Sequence, residues 1–70
     1  MSFQAYLDAV ELKTGKTPAD LVAEAAARGY GTDTKAGEIL TWLKDDYGLG
    51  RGHGMAIVAL LKGLKSPGDA

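Results

Sequence analysis

The segment Gly48-Leu49-Gly50-Arg51-Gly52-His53-Gly54 has glycine at every second position and holds the chain's single histidine and an arginine between them. Such a run has an anion-binding chemistry. Backbone N–H groups at a helix start, the positive end of the helix dipole, and two cationic or donor side chains can together hold a phosphate or carboxylate. Gly50, Arg51, Gly52 and His53 are therefore the candidate anion-binding residues. A purely structural role explains the same glycines and is the preferred reading. Each glycine weakens a helix by up to about 1 kcal/mol relative to alanine, so several at one entrance need a reason. Gly48 can end one helix in a left-handed conformation. Gly52 and Gly54 can let the next helix press against a bulky neighbour such as Trp42.

More specific chemistries find no support. A dinucleotide-binding fingerprint needs a third glycine three residues after the second. Counting from Gly50 and Gly52, Met55 stands there. No Gly-Lys-Ser/Thr closes a phosphate loop. His53 has no carboxylate at helical spacing, which argues against a metal site. Cysteine is absent, so disulfides, thiolate zinc sites, iron–sulfur clusters and a cysteine nucleophile are excluded. Ser2 and Ser66 fall in expected end regions, away from any Ser–His arrangement. Asp45 and Asp46 are adjacent, so their side chains diverge by about 100° around a helix and read as a solvated helix end. Neither catalysis nor a cofactor is expected.

The charge balance bears on partners. The formal net charge is −1, whereas nucleic-acid-binding domains are usually basic. Trp42, Tyr6, Tyr30 and Tyr47 are not interleaved with a basic stripe, and at helical spacing they read as core or boundary residues. No basic segment followed by an apolar stretch opens the chain, so no signal peptide is expected. The longest apolar run, Met55 to Leu61, is too short to span a bilayer. A cytoplasmic protein without membrane partners follows as the expectation.

The elements that must position these residues are legible from caps and periodicity. A first helix is expected from about Phe3 to Thr14, with Ser2 as N-cap, Phe3, Tyr6, Leu7 and Val10 at helical spacing, and Gly15 as terminator. Thr17-Pro18-Ala19-Asp20 opens a second helix with a capping hydroxyl, a proline at the first position and a carboxylate at the third. Its alanine-rich body suggests close packing, and Arg28 and Gly29 end it. Asp33 or Thr34 should cap a third helix, which runs to about Tyr47 with Ala36, Ile39, Leu40, Leu43 and Tyr47 on one face. A fourth should begin near Gly50 or Arg51 and reach about Lys65. Its Met55–Leu61 stretch is apolar all round, the pattern of a helix buried on most sides. Residues 66–70 read as a frayed tail. The expected fold is all-α: a compact four-helix domain over residues 1–65, with an apolar C-terminal helix at its centre. The hydrophobic share of 46% supports folding.

Several stretches are similar to a known family. They are Phe3-Gln4-Ala5-Tyr6-Leu7, the turn from Thr14 to Pro18, Lys35 to Leu40, Trp42-Leu43-Lys44, Gly48 to His53 and Ala56-Ile57-Val58. Together they resemble a bacterial family of short domains classed only as a domain of unknown function, number four-two-eight-seven. The family more often has alanine after the histidine, where this chain has Gly54. The resemblance extends to about Lys65. It implies a compact helical domain, sometimes joined to others, and no established activity, so it assigns no functional residues.

The leading functional expectation is a small non-catalytic module that binds a protein or itself. A nucleic-acid-binding helical module and a weak phosphate binder at Gly48–Gly54 are the alternatives. A recognition helix must offer polar side chains to a groove. The fourth helix has mainly Arg51, His53, Lys62 and Lys65, at opposite ends of an apolar middle.

Overall fold

The computed structural model describes residues 2–64. These residues form α1 (Phe3–Thr14), α2 (Pro18–Ala27), α3 (Ala36–Tyr47) and α4 (Arg51–Leu61), and no strand occurs among them. The expected tail at 66–70 lies outside the described residues.

Local chemistry sets the first two helix starts as expected. The Ser2 hydroxyl accepts the Ala5 N–H at 3.2 Å. Thr17 and Asp20 form a reciprocal capping box, at 3.1 and 3.2 Å, with Pro18 at the first helical position. Both devices satisfy N–H groups that a helix leaves without internal partners. The third start differs from expectation. Lys35, not Asp33 or Thr34, is the N-cap of α3, and no side chain caps it. The Thr34 hydroxyl instead accepts the Gly31 N–H at 2.8 Å, so it closes the loop rather than the helix.

The end of α4 also differs. The helix stops at Leu61, well short of Lys65. Gly63 adopts a left-handed φ of 71°, and the Leu64 N–H bonds the Ala59 carbonyl at 2.8 Å. Lys62 then reaches back to the α2–α3 loop, donating to the Thr32 and Thr34 carbonyls at 2.9 and 2.5 Å.

Apolar periodicity becomes one core. Phe3, Leu7 and Val10 of α1 are buried, as are Leu21 and Ala25 of α2. They meet Ile39, Trp42 and Leu43 of α3, Leu49 of the α3–α4 turn, and Ala56, Ile57 and Val58 of α4. The spacings are the i, i+3, i+4, i+7 of amphipathic helices. α4 packs against each of α1, α2 and α3, and α1 also touches α2. Full burial of one such Leu or Ile contributes about 1.5–3 kcal/mol.

Two packing expectations need correction. Leu61, expected in the core with Ile57 and Val58, is only half-buried at its edge, and Met55 is 40% exposed. The apolar stretch of α4 therefore has an outer face. Of the alanines in α2, Ala25 alone is fully buried, while Ala19, Ala23, Ala26 and Ala27 are exposed. Ala25 makes the close packing expected of these alanines, while Ala19, Ala23 and Ala26 line an open groove beside Leu60 of α4.

Candidate functional site

The α3–α4 junction is built by a change of backbone hand. Gly48 has φ 66°, and its N–H bonds the Lys44 carbonyl at 2.9 Å. The Gly48–Lys44 bond is the five-to-one bond of an αL C-cap, and the Leu49 N–H reaches back to the Leu43 carbonyl at 3.3 Å. The turn drives Leu49 into the core, where it is 2% exposed. Gly50 follows in an extended conformation as N-cap of α4, with no side chain to cap the helix. Its carbonyl accepts the Gly54 N–H at 2.8 Å. The N–H groups of Arg51, Gly52 and His53 have no carbonyl within the helix to bond, and they supply its positive end.

The four residues named from sequence divide between two surroundings. Gly50 and Arg51 line a shallow cavity of about 230 Å³ with Leu40, Thr41, Lys44 and Leu49. Gly52 and His53 lie towards α1. The His53 ring meets Tyr6 edge-on, with centroids 5.3 Å apart, and a β-carbon at Gly52 would come 3.8 Å from Tyr6 Cε1. Helix geometry accounts for the division, because positions 51 and 53 sit roughly 200° apart around the axis. The bulky neighbour of Gly54 is Leu40, not Trp42.

Lys44 is the cation that sequence reasoning missed at this site. It sits four residues before Gly48, and the turn folds the start of α4 back beside it. The signal available was that spacing, a lysine one helical turn ahead of a left-handed glycine. Lys44 and Arg51 are both exposed, and neither has an ion pair among the described residues. Two cations beside a helix N-terminus make the cavity's surroundings electropositive. The Thr41 hydroxyl beside them donates to the Gly37 carbonyl at 2.8 Å.

A second cluster gathers around Trp42. The Arg28 guanidinium lies 5.0 Å from the ring centroid and bonds Asp46 Oδ2 at 2.8 Å. Tyr30 and Tyr47 meet the indole edge-on, at 5.7 and 6.1 Å. The Tyr47 hydroxyl donates to the Glu24 carboxylate. That hydrogen bond, with burial and the nearby carboxylate charges, pushes the phenol up to about 12. Asp45 and Asp46 are exposed at the end of α3, as expected, and also line an open cavity of about 390 Å³. Pairing across eighteen residues, as between Arg28 and Asp46, leaves no periodic trace in a sequence.

A third surface is apolar. Pro18, Ala19, Val22, Ala23 and Ala26 of α2 form a groove of about 390 Å³ with Leu60 of α4. Among the described residues, no three His, Cys, Asp or Glu side chains cluster as a metal site, and no helix is long and apolar enough to cross a membrane.

Comparison with known proteins gives one match. The family model described as Domain of unknown function (DUF4287) matches residues 2–63. No curated protein and no solved structure matches the chain.

Proposed function

Since the chain belongs to this family of unknown function over residues 2–63, we propose a role from its surfaces: a non-catalytic module that binds another protein. The observation that carries the reading is the apolar groove between α2 and α4. Grooves rimmed by small side chains let a partner's backbone approach closely, and helix-in-groove recognition uses apolar anchors at such places.

Site-specific photo-crosslinking tests it. A photoreactive residue at Ala23, in the groove, should give a defined adduct in the native source, and one at Lys13, outside the groove, should not. Val22→Glu should abolish the adduct. Equal labelling from both positions, or none from Ala23, overturns the reading. Sedimentation of the purified chain separates a partner protein from a second copy.

A second reading has its own observation. Lys44 and Arg51 flank the cavity at the start of α4, which favours weak binding of inorganic phosphate. Saturable amide shifts at Gly50–His53 on phosphate addition, lost in both Lys44→Ala and Arg51→Ala, support it. Uniform small shifts sink it.

A further inference from the structure

The cavity over Trp42 carries more information than its shape. Its rim holds three carboxylates, Glu38, Asp45 and Asp46, and a single cation, Arg28. Arg28 satisfies only Asp46. Among the described residues, neither the Glu38 nor the Asp45 side chain has an ion pair or hydrogen bond. The floor is aromatic, from Trp42 and Tyr30. An aromatic floor with an excess of carboxylate around it favours a planar cation, which can stack on the ring and bond the carboxylates in one pose. The molecule itself demonstrates the chemistry, because its own guanidinium occupies the Trp42 face. The hold on that guanidinium is weak. Arg28 and Asp46 side chains are 41% and 43% exposed, and ion pairs this open add little stability.

A second observation concerns the floor itself. Trp42 is 5% exposed, and its indole N–H is buried without a hydrogen-bond partner among the described residues. Buried donors are nearly always paired. A guanidinium complements the ring and the carboxylates together.

We propose that this cleft is a seat for an arginine side chain presented by a partner protein, and that Arg28 is the internal occupant it displaces. The proposal rests on the reading of the domain as an interaction module and adds the partner's chemistry, at a surface separate from the α2–α4 groove. An incoming guanidinium takes the Trp42 face and bonds Asp45 and Glu38. Lysine fits less well, because a compact ammonium cannot stack as a plane.

The test is an NMR titration of the isotope-labelled full chain with acetyl-glycyl-arginyl-glycine amide. Matched lysine and citrulline peptides at equal ionic strength serve as controls. Trp42 is the only tryptophan, so its indole N–H gives one unambiguous signal. The arginine peptide should produce saturable shifts in that signal and in the amides of Glu38 to Asp46. The lysine peptide should bind more weakly, and the citrulline peptide should produce no saturable shift. Removing the competitor in Arg28→Ala should tighten arginine-peptide binding by about threefold, the scale of an exposed ion pair, and Asp45→Asn with Glu38→Gln should weaken it comparably. If Arg28→Ala does not fold, Arg28→Gln replaces it. Absence of saturable shifts, equal binding of the citrulline peptide, or loss of binding in both Arg28 variants overturns the proposal. Groove crosslinks that persist while the titration is silent leave the module standing and remove only this seat.

Discussion

A β-carbon placed on Gly54 would lie 2.6 Å from Leu40 Cδ2, closer than side chains can approach, so α4 crosses α3 over a position that admits hydrogen alone unless Leu40 moves. Gly52, two residues earlier, has an ordinary 3.8 Å gap to Tyr6. The two glycines share a sequence pattern but should respond differently to substitution. Gly52→Ala should stabilise the domain by up to about 1 kcal/mol through helix propensity and lower unfolded-state entropy. At Gly54 the same gain meets the clash. Leu40 is half-buried and its tip can shift, so Gly54→Ala should gain nothing, and Gly54→Leu should lose about 1–3 kcal/mol by overpacking. Urea unfolding of the three variants decides. A Gly54→Leu protein as stable as the parent would show that the crossing is looser than described.

Core position should grade the effect of truncation within one helix pair. Leu43 is 0% exposed, so Leu43→Ala should cost about 2–5 kcal/mol. Leu61 is half-buried, and Leu61→Ala should cost less than about 2 kcal/mol, since its site can collapse towards solvent. Chemical denaturation with unchanged slope measures both. Equal losses would place Leu61 in the core after all.

Tyr47 should give the domain an alkaline limit. Its phenol rises from 10.0 to about 12, first because its hydroxyl donates to Glu24, then through burial and carboxylate repulsion. A group whose folded value is raised contributes stability fully below its unfolded value and loses it as pH rises through the folded one. The contribution is therefore complete below pH 10 and disappears between pH 10 and about 12. Tyrosinate absorbance should show a late-titrating step from Tyr47. Tyr47→Phe should remove that step and flatten the stability decline over the same window. A step retained in Tyr47→Phe would assign it elsewhere.

Lys62 should govern the α2–α3 loop. Its ammonium bonds the Thr32 and Thr34 carbonyls, and charged hydrogen bonds of this kind contribute roughly 1–3 kcal/mol, less where solvent reaches them. Lys62→Met should speed amide exchange at Gly31 to Lys35 while leaving α1 protected. Unchanged exchange in the loop would mean that Thr34 and Gly31 hold it alone.

Helix ends and core were legible where the signal is local. Ser2, the Thr17–Asp20 box and Gly15 name their helix boundaries because a cap and its target are within four residues of each other. Phe3, Leu7 and Val10 name a buried face because helical periodicity is local too. Thr34 misled because a hydroxyl can close a loop or cap a helix, and only the three-dimensional position of Gly31 decides. Lys65 misled as an endpoint because Gly63 ends the helix first. At the candidate site, Gly50 and Arg51 were legible and Lys44 was not, since it reaches the cavity only through the turn at Gly48. The Arg28–Trp42 contact joins the C-cap of α2 to α3, and no spacing rule links them.

The order of synthesis gives the packing of α4 a further meaning. α1, α2 and α3 each rest on α4, yet α4 is the last of the four to leave the ribosome. Until Leu61 has emerged, the apolar faces of the first three helices have no common surface to cover them. A chain truncated before α4 should therefore keep little more than the α1–α2 contact, and the domain should close cooperatively once α4 is present.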